Sequence, residues 1–147
     1  MKPAGFYKEK DMTYAVRKDI ENIFGCTNVD TWADLENNGD ASYIEERIDW
    51  ALELATNTLN DHMHEGPYEF PLTATPYPSS VIYYTAMSAG ILLYDSRGLR
   101  DADPGKDILQ THRNKYTSWI NAVLAGKYRI SELDRRDGVD PFPEVVT

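Results

Sequence analysis

A chain of 147 residues, 41% of them hydrophobic, is long enough to bury one core and too short for several large domains. Its formal net charge of −9 excludes a broad basic face that wraps nucleic acid, though not a channel through which DNA slides without sticking. One cysteine, Cys26, excludes an internal disulfide and a cysteine-based zinc site.

The first dozen residues are polar and include Pro3 and Gly5, so residues 1–12 are expected to form a flexible N-terminal arm. They contain no apolar leader-like run, and the most apolar stretch, 86–94, is far shorter than the ~20 residues of a membrane span. A soluble, intracellular protein with no membrane contact is expected. Thr13 is the expected cap of a helix over 16–24 that stops at Gly25, with Ile20, Ile23 and Phe24 as its apolar edge. A second short helix over 29–35 would turn Trp32 and Leu35 inward. Cys26 then sits in the turn between, as a small buried or half-buried residue.

A polar loop follows. Asp34, Glu36, Asn38, Gly39, Asp40, Ser42 and Glu45 have the spacing of an EF-hand calcium loop, with oxygen donors on a curved segment and a closing glutamate on the next helix. The same residues also make a turn and helix cap without an ion. Asp34, Glu36, Asn38, Asp40, Ser42 and Glu45 are therefore candidate ligands for a structural Ca2+. Ser42 and Glu45 also form a capping-box pair.

Apolar residues Ile44, Ile48, Ala51, Leu52, Ala55, Leu59 and Met63 recur in steps of three and four, which predicts one amphipathic helix over 42–65. At ~1.5 Å per residue it is about 35 Å long, and the other helices should pack on it. It ends in His62, His64 and Glu65. The two histidines lie roughly 200° apart on a helix, so they cannot share an ion. Residues 66–80 contain four prolines together with Tyr68, Phe70, Leu72 and Tyr77. These either pack back on the core or contact another subunit.

A helix over 78–96 starts at Pro78, with a core face of Ile82, Ala86, Ala89, Leu92 and Leu93. Small residues at Ala86, Ala89 and Gly90 let a neighbouring helix approach closely. After a charged break at 97–106, a last helix over 107–125 carries Ile108, Leu109, His112, Tyr116, Trp119, Ile120, Val123 and Leu124 on one line. Gly126 stops it. His112 reads as a satisfied core or interface histidine. The tail, 127–147, is too apolar for a solubilising extension and has no evident partner within the chain. It is expected to be an extended arm that finds its partner in another polypeptide. The expected architecture is all-α: four to five helices around one long central helix, a helical domain at 13–126 that folds without the tail, and an arm at each end.

Four groups of residues, taken together in their order and spacing, resemble a known family. They are Tyr14 with Asp19, Ile20, Phe24 and Gly25; the acidic loop running into Ile48, Ala51, Ala55 and Leu59; Tyr68 with Phe70, Pro71 and Leu72; and Tyr116, Ile120, Leu124 and Gly126. This order resembles the head–tail connector proteins of tailed bacteriophages, also called adaptor or head-completion proteins. The resemblance covers roughly 13–126. It implies an all-α fold and a twelve-fold ring under the portal protein, which extends the DNA channel and carries the stopper or tail. It implies no enzymatic activity, no required cofactor and a place in the virion neck after synthesis in the host cytoplasm. An acidic lumen would let DNA pass without binding. On this reading Tyr128, Ile130, Leu133 and Phe142 are candidate portal-side anchors. Tyr68, Phe70, Leu72 and Tyr77 are candidate contacts between subunits or with the next ring. Two other classes compete: an EF-hand-like calcium-binding regulatory module, and a metal-dependent hydrolase using His62, His64, Glu65 and His112. The helical geometry places the hydrolase last.

Overall fold

The computed structural model describes residues 13–136. Five helices follow one another: α1 (Arg17–Phe24), α2 (Cys26–Ala33), α3 (Ala41–Met63), α4 (Ser79–Ser96) and α5 (Gln110–Leu124). The expected all-α architecture is what the chain adopts. Among the described residues the only extended pairing is one antiparallel bridge, Tyr68 with Arg135. No described helix is long and apolar enough to cross a membrane.

Helix α3 spans 23 residues, about 34 Å at ~1.5 Å per residue. Every apolar residue predicted for its inner face is buried: Ile44, Ile48, Ala51, Leu52, Ala55, Leu59 and Met63. The start differs from expectation. Asp40, not Ser42, is the cap, and its Oδ1 accepts the backbone N–H groups of Ser42 at 3.0 Å and Tyr43 at 3.3 Å. A carboxylate there meets the helix dipole as well as two unpaired donors.

The chain before α3 folds more tightly than its pattern suggests. Thr13 is not a cap; its hydroxyl donates to the carbonyl of Ala15. Helix α1 begins at Arg17, and the Asp19 carboxylate accepts the Val16 N–H at 2.8 Å. Gly25, at φ 89°, ends α1, and its carbonyl already accepts from Val29 N at 3.1 Å. Helix α2 therefore starts three residues earlier than predicted. Cys26 becomes its exposed first residue rather than a buried one.

Helices α3 and α4 run antiparallel. The N-terminal half of α3 packs with Ala86, Met87, Ala89, Leu93 and Tyr94 of α4, while Leu59 and Met63 share a second cluster with Val81. Arg47 of α3 reaches Ser96 at the end of α4, at 3.0 Å. Helices α1 and α2 cover the first cluster. Phe24, Trp32 and Tyr94 meet edge to face at 5.3 and 5.1 Å. Helix α5 runs back along α4 and closes the second cluster with Trp119, Ile120 and Val123. Two residues assigned to its inner line are not on it. Ile108 precedes the helix and is 71% exposed, and Leu124 is 41% exposed.

The end of the described chain also departs from expectation. Residues 127–136 do not stand off as an arm. Ile130 is buried, Leu133 packs against the second cluster, and Arg136 N–H donates to the Pro67 carbonyl at 2.7 Å. The helical body thus extends past 126.

At Gly90 of α4 a Cβ would overlap the Phe24 ring of α1. We expect Gly90→Ala to lower the unfolding free energy by about 1–3 kcal/mol through overpacking, despite the better helix propensity of alanine. Urea denaturation followed by circular dichroism checks this, and a neutral or stabilising result would contradict the close α1–α4 contact.

Candidate functional site

The loop 34–40 is an internally bonded turn. The Asp34 carboxylate accepts from Asn38 N at 3.3 Å and Gly39 N at 3.0 Å, and Asn38 Oδ1 accepts from Asp40 N at 3.0 Å. Gly39 at φ 68° and Asn37 at φ 55° supply the curvature. Arg97, just past α4, clamps the loop by donating to the Asp34 carbonyl and to Asn37 Oδ1. Of the six candidate calcium ligands, Asp34 and Asn38 hold the loop backbone, and Asp40 caps α3. Ser42 lies inside α3, and Glu36 is exposed. Glu45, the closing ligand of the calcium reading, points elsewhere. Its carboxylate pairs with Arg17 at 2.7 Å. Among the described residues no group of three or more His, Cys, Asp or Glu is placed to hold a metal ion. These bonds are those of a turn plus cap.

Two arginines act as hubs. Arg17 of α1 meets Glu21 of its own helix at 3.1 Å, Asp30 of α2, and Glu45 of α3 at 2.7 Å. Arg113 of α5 forms a fork on Asp95 of α4, at 2.6 and 2.7 Å, and reaches Asp107 at 2.6 Å. Asp107 is buried, and its pKa is held below the usual carboxylate value. The Arg113 hydrogen bond is the main cause; burial opposes it, and the Leu109 N–H assists. Buried charge survives here because it is paired and forked.

The proline-rich segment 66–78 meets the tail in a set of aromatic and backbone bonds. Tyr68 is 1% exposed; its hydroxyl accepts the Ile130 N–H at 2.9 Å, and its carbonyl accepts from Arg136 at 2.8 Å. Phe70 is buried edge-on to Tyr14, with ring centroids 6.2 Å apart, and Tyr77 meets the same ring at 4.9 Å. The Tyr14 hydroxyl donates to Asn60 of α3 and accepts the Leu72 N–H at 2.8 Å. Burial raises the Tyr14 pKa, so the hydroxyl stays neutral and can donate. Of the candidate contact residues, then, Tyr68 and Phe70 are interior. Leu72 and Tyr77 are half-buried against the second cluster. Of the candidate anchors, Ile130 is interior, Leu133 is half-buried and Tyr128 is 40% exposed. Phe142 lies outside the described residues. Proline content signalled an ordered segment; nothing local signalled that Ile130 would cover it.

The histidines do not converge. His64 is exposed, as is Glu65. His62 is exposed and its Nδ1 lies 3.5 Å from the Tyr116 hydroxyl. His112 packs on Phe24, with ring centroids 5.0 Å apart. It is not the satisfied histidine expected, because its buried Nδ1 has no hydrogen-bond partner. Burial, then Lys115, lowers its pKa. A cleft of about 310 Å3 opens between α3 and the proline-rich segment, with Tyr14, Glu53, Asn57 and Leu72 on its walls.

Comparison with protein-family models, with curated proteins and with solved structures finds no match.

Two outcomes test this geometry. Tyr68→Phe leaves the buried Ile130 N–H without an acceptor, which should cost about 1–3 kcal/mol and speed hydrogen exchange at Ile130. Unchanged exchange there would mean that the bond does not hold the tail. The second outcome is a loss of stability on acidification in two windows. Neutral His112 has a folded pKa below its unfolded value, so its contribution is complete above pH ~6.5 and falls as pH drops through the folded pKa. Asp107 behaves likewise, with its contribution lost below pH ~4. Urea melts across pH should show His112→Gln flattening the first window and Asp107→Asn the second.

Proposed function

We propose that this chain is a structural protein of a tailed-bacteriophage virion, a connector that forms a ring, twelve-fold by the family's pattern, below the portal. In this reading it extends the DNA channel and offers a platform to the stopper or tail. It is made in the host cytoplasm and ends in the neck. Its role is mechanical, with no catalytic step and no required cofactor.

The observation that carries the reading is the way the resemblance groups interlock. Tyr14 from the first group bonds Asn60 on the central helix and Leu72 of the Phe70-Pro71-Leu72 element. Tyr116 of the fourth group faces His62 at the end of the same central helix. Residues that are scattered in the chain thus act as one structural unit. The charge supports the reading too: a net charge of −9 repels phosphate and suits a lumen that must not hold DNA.

The contact residues are reassigned in this reading. Tyr68, Phe70 and Ile130 set the shape of the subunit. Contact with the portal falls to residues beyond 136, Phe142 among them.

Mixing the purified chain with portal-bearing virion necks and imaging by electron microscopy should reveal an annulus below the portal. Its absence removes the proposal. Truncation separates the two parts of the tail. Ending the chain at Gly126 uncovers Tyr68 and deletes buried Ile130, so we expect a loss of at least about 2 kcal/mol. Ending it at Arg136 should leave stability unchanged and abolish joining to the portal. Normal joining by that second form would take residues 137–147 out of the mechanism.

A further inference from the structure

We propose that copies of this chain join head to tail, the outer face of α3 on one copy seating against the turn after α5 on the next. This deepens the connector reading and rests on it only for closure of the ring. Helix α3 is apolar on more than its buried side. Residues Tyr43, Arg47, Trp50, Leu54, Asn57 and Asp61 recur in alternating steps of four and three, which places them in one stripe along the helix, opposite the core-facing residues. Within that stripe Trp50 is 39% exposed and Leu54 38% exposed. The Arg47 guanidinium lies 4.2 Å over the Trp50 ring and covers part of it. Glu46, Glu53 and Asp61 lie beside or within the stripe, and the helix as a whole carries five carboxylates against one arginine.

A second patch has the opposite sign. Leu124 is 41% exposed and Tyr128 is 40% exposed, on either side of the Gly126 turn at φ 74°. The segment 124–129 contains Lys127 and Arg129 and no acidic residue. Each patch therefore offers a pair of large apolar side chains, one on an acid-rich helix and the other next in sequence to Lys127 and Arg129. Two α3 faces would repel each other, whereas an α3 face and a 124–128 turn attract. A contact between different patches is heterologous, and such contacts propagate around a ring or along a filament rather than ending at a dimer.

The test uses single-cysteine chains in a Cys26→Ser background, one with Leu54→Cys and one with Tyr128→Cys, both checked for native circular dichroism. Under mild oxidation the mixture should yield crosslinked dimers several-fold in excess of either variant alone. Leu54→Glu, measured by sedimentation, should raise the self-association Kd roughly tenfold or more. Equal crosslinking within the Leu54→Cys sample overturns the pairing. A wild-type chain that stays monomeric at its solubility limit overturns it as well. An annulus at virion necks that survives Leu54→Glu would keep the connector reading and eliminate this interface; specific crosslinking without any annulus would do the reverse.

Discussion

One buried helix face has to be covered along about 34 Å, and no single neighbour in this chain can cover it all. The rest of the fold answers that constraint. The N-terminal half of α3, from Ile44 to Ala55, lies under α1, α2 and the C-terminal half of α4. The C-terminal half, at Leu59 and Met63, lies under the start of α4, the end of α5, the proline-rich segment and residues 130–133. Two apolar clusters therefore share one rigid axis. Both are built from segments far apart in the chain, so neither half of α3 keeps its apolar face covered without long-range closure.

Arginine ion pairs also link the helices that cross this common strut. Arg17 joins α1, α2 and α3 through three carboxylates, and Arg113 joins α4 to the lead-in of α5 through two. An acid-rich chain makes this economical, since each planar guanidinium finds several acceptors at once and Lys could not match the fork on Asp95. Glu45 pairs with Arg17 and Glu53 lines the cleft beside the proline-rich segment, while Glu46 and Asp61 are exposed on α3. The outer face of α3 that remains is acid-rich with an apolar stripe at Trp50 and Leu54.

The division between shape and contact also falls differently from the chemical look of the residues. Tyr68, Phe70 and Ile130 have the character of interface anchors, yet they close the second cluster. Their polar atoms are satisfied internally, the Tyr68 hydroxyl by the Ile130 N–H. The large apolar residues left exposed are less conspicuous in sequence: Trp50 and Leu54 in mid-helix, and Leu124 and Tyr128 around a glycine turn.

Local pattern was enough for the all-α class, for the inner face of α3 residue by residue, for the glycine stops at Gly25 and Gly126, and for the small-residue approach at Gly90, because each follows from helical period or backbone freedom within a few residues. Pattern was not enough for caps and charges. Ser42 and Asp40 are both competent caps, and the pairing of Glu45 depends on the position of Arg17, 28 residues away. Residues 127–136 differ from expectation for the same reason. Tyr128 and Leu133 flank Ile130 in its own segment, but nothing local says which of the three is buried or by what, and its partner Tyr68 lies 62 residues earlier. Short-range periodicity determines which face of an element is greasy. Which element covers it depends on the closure of long loops, and that belongs to the tertiary structure alone.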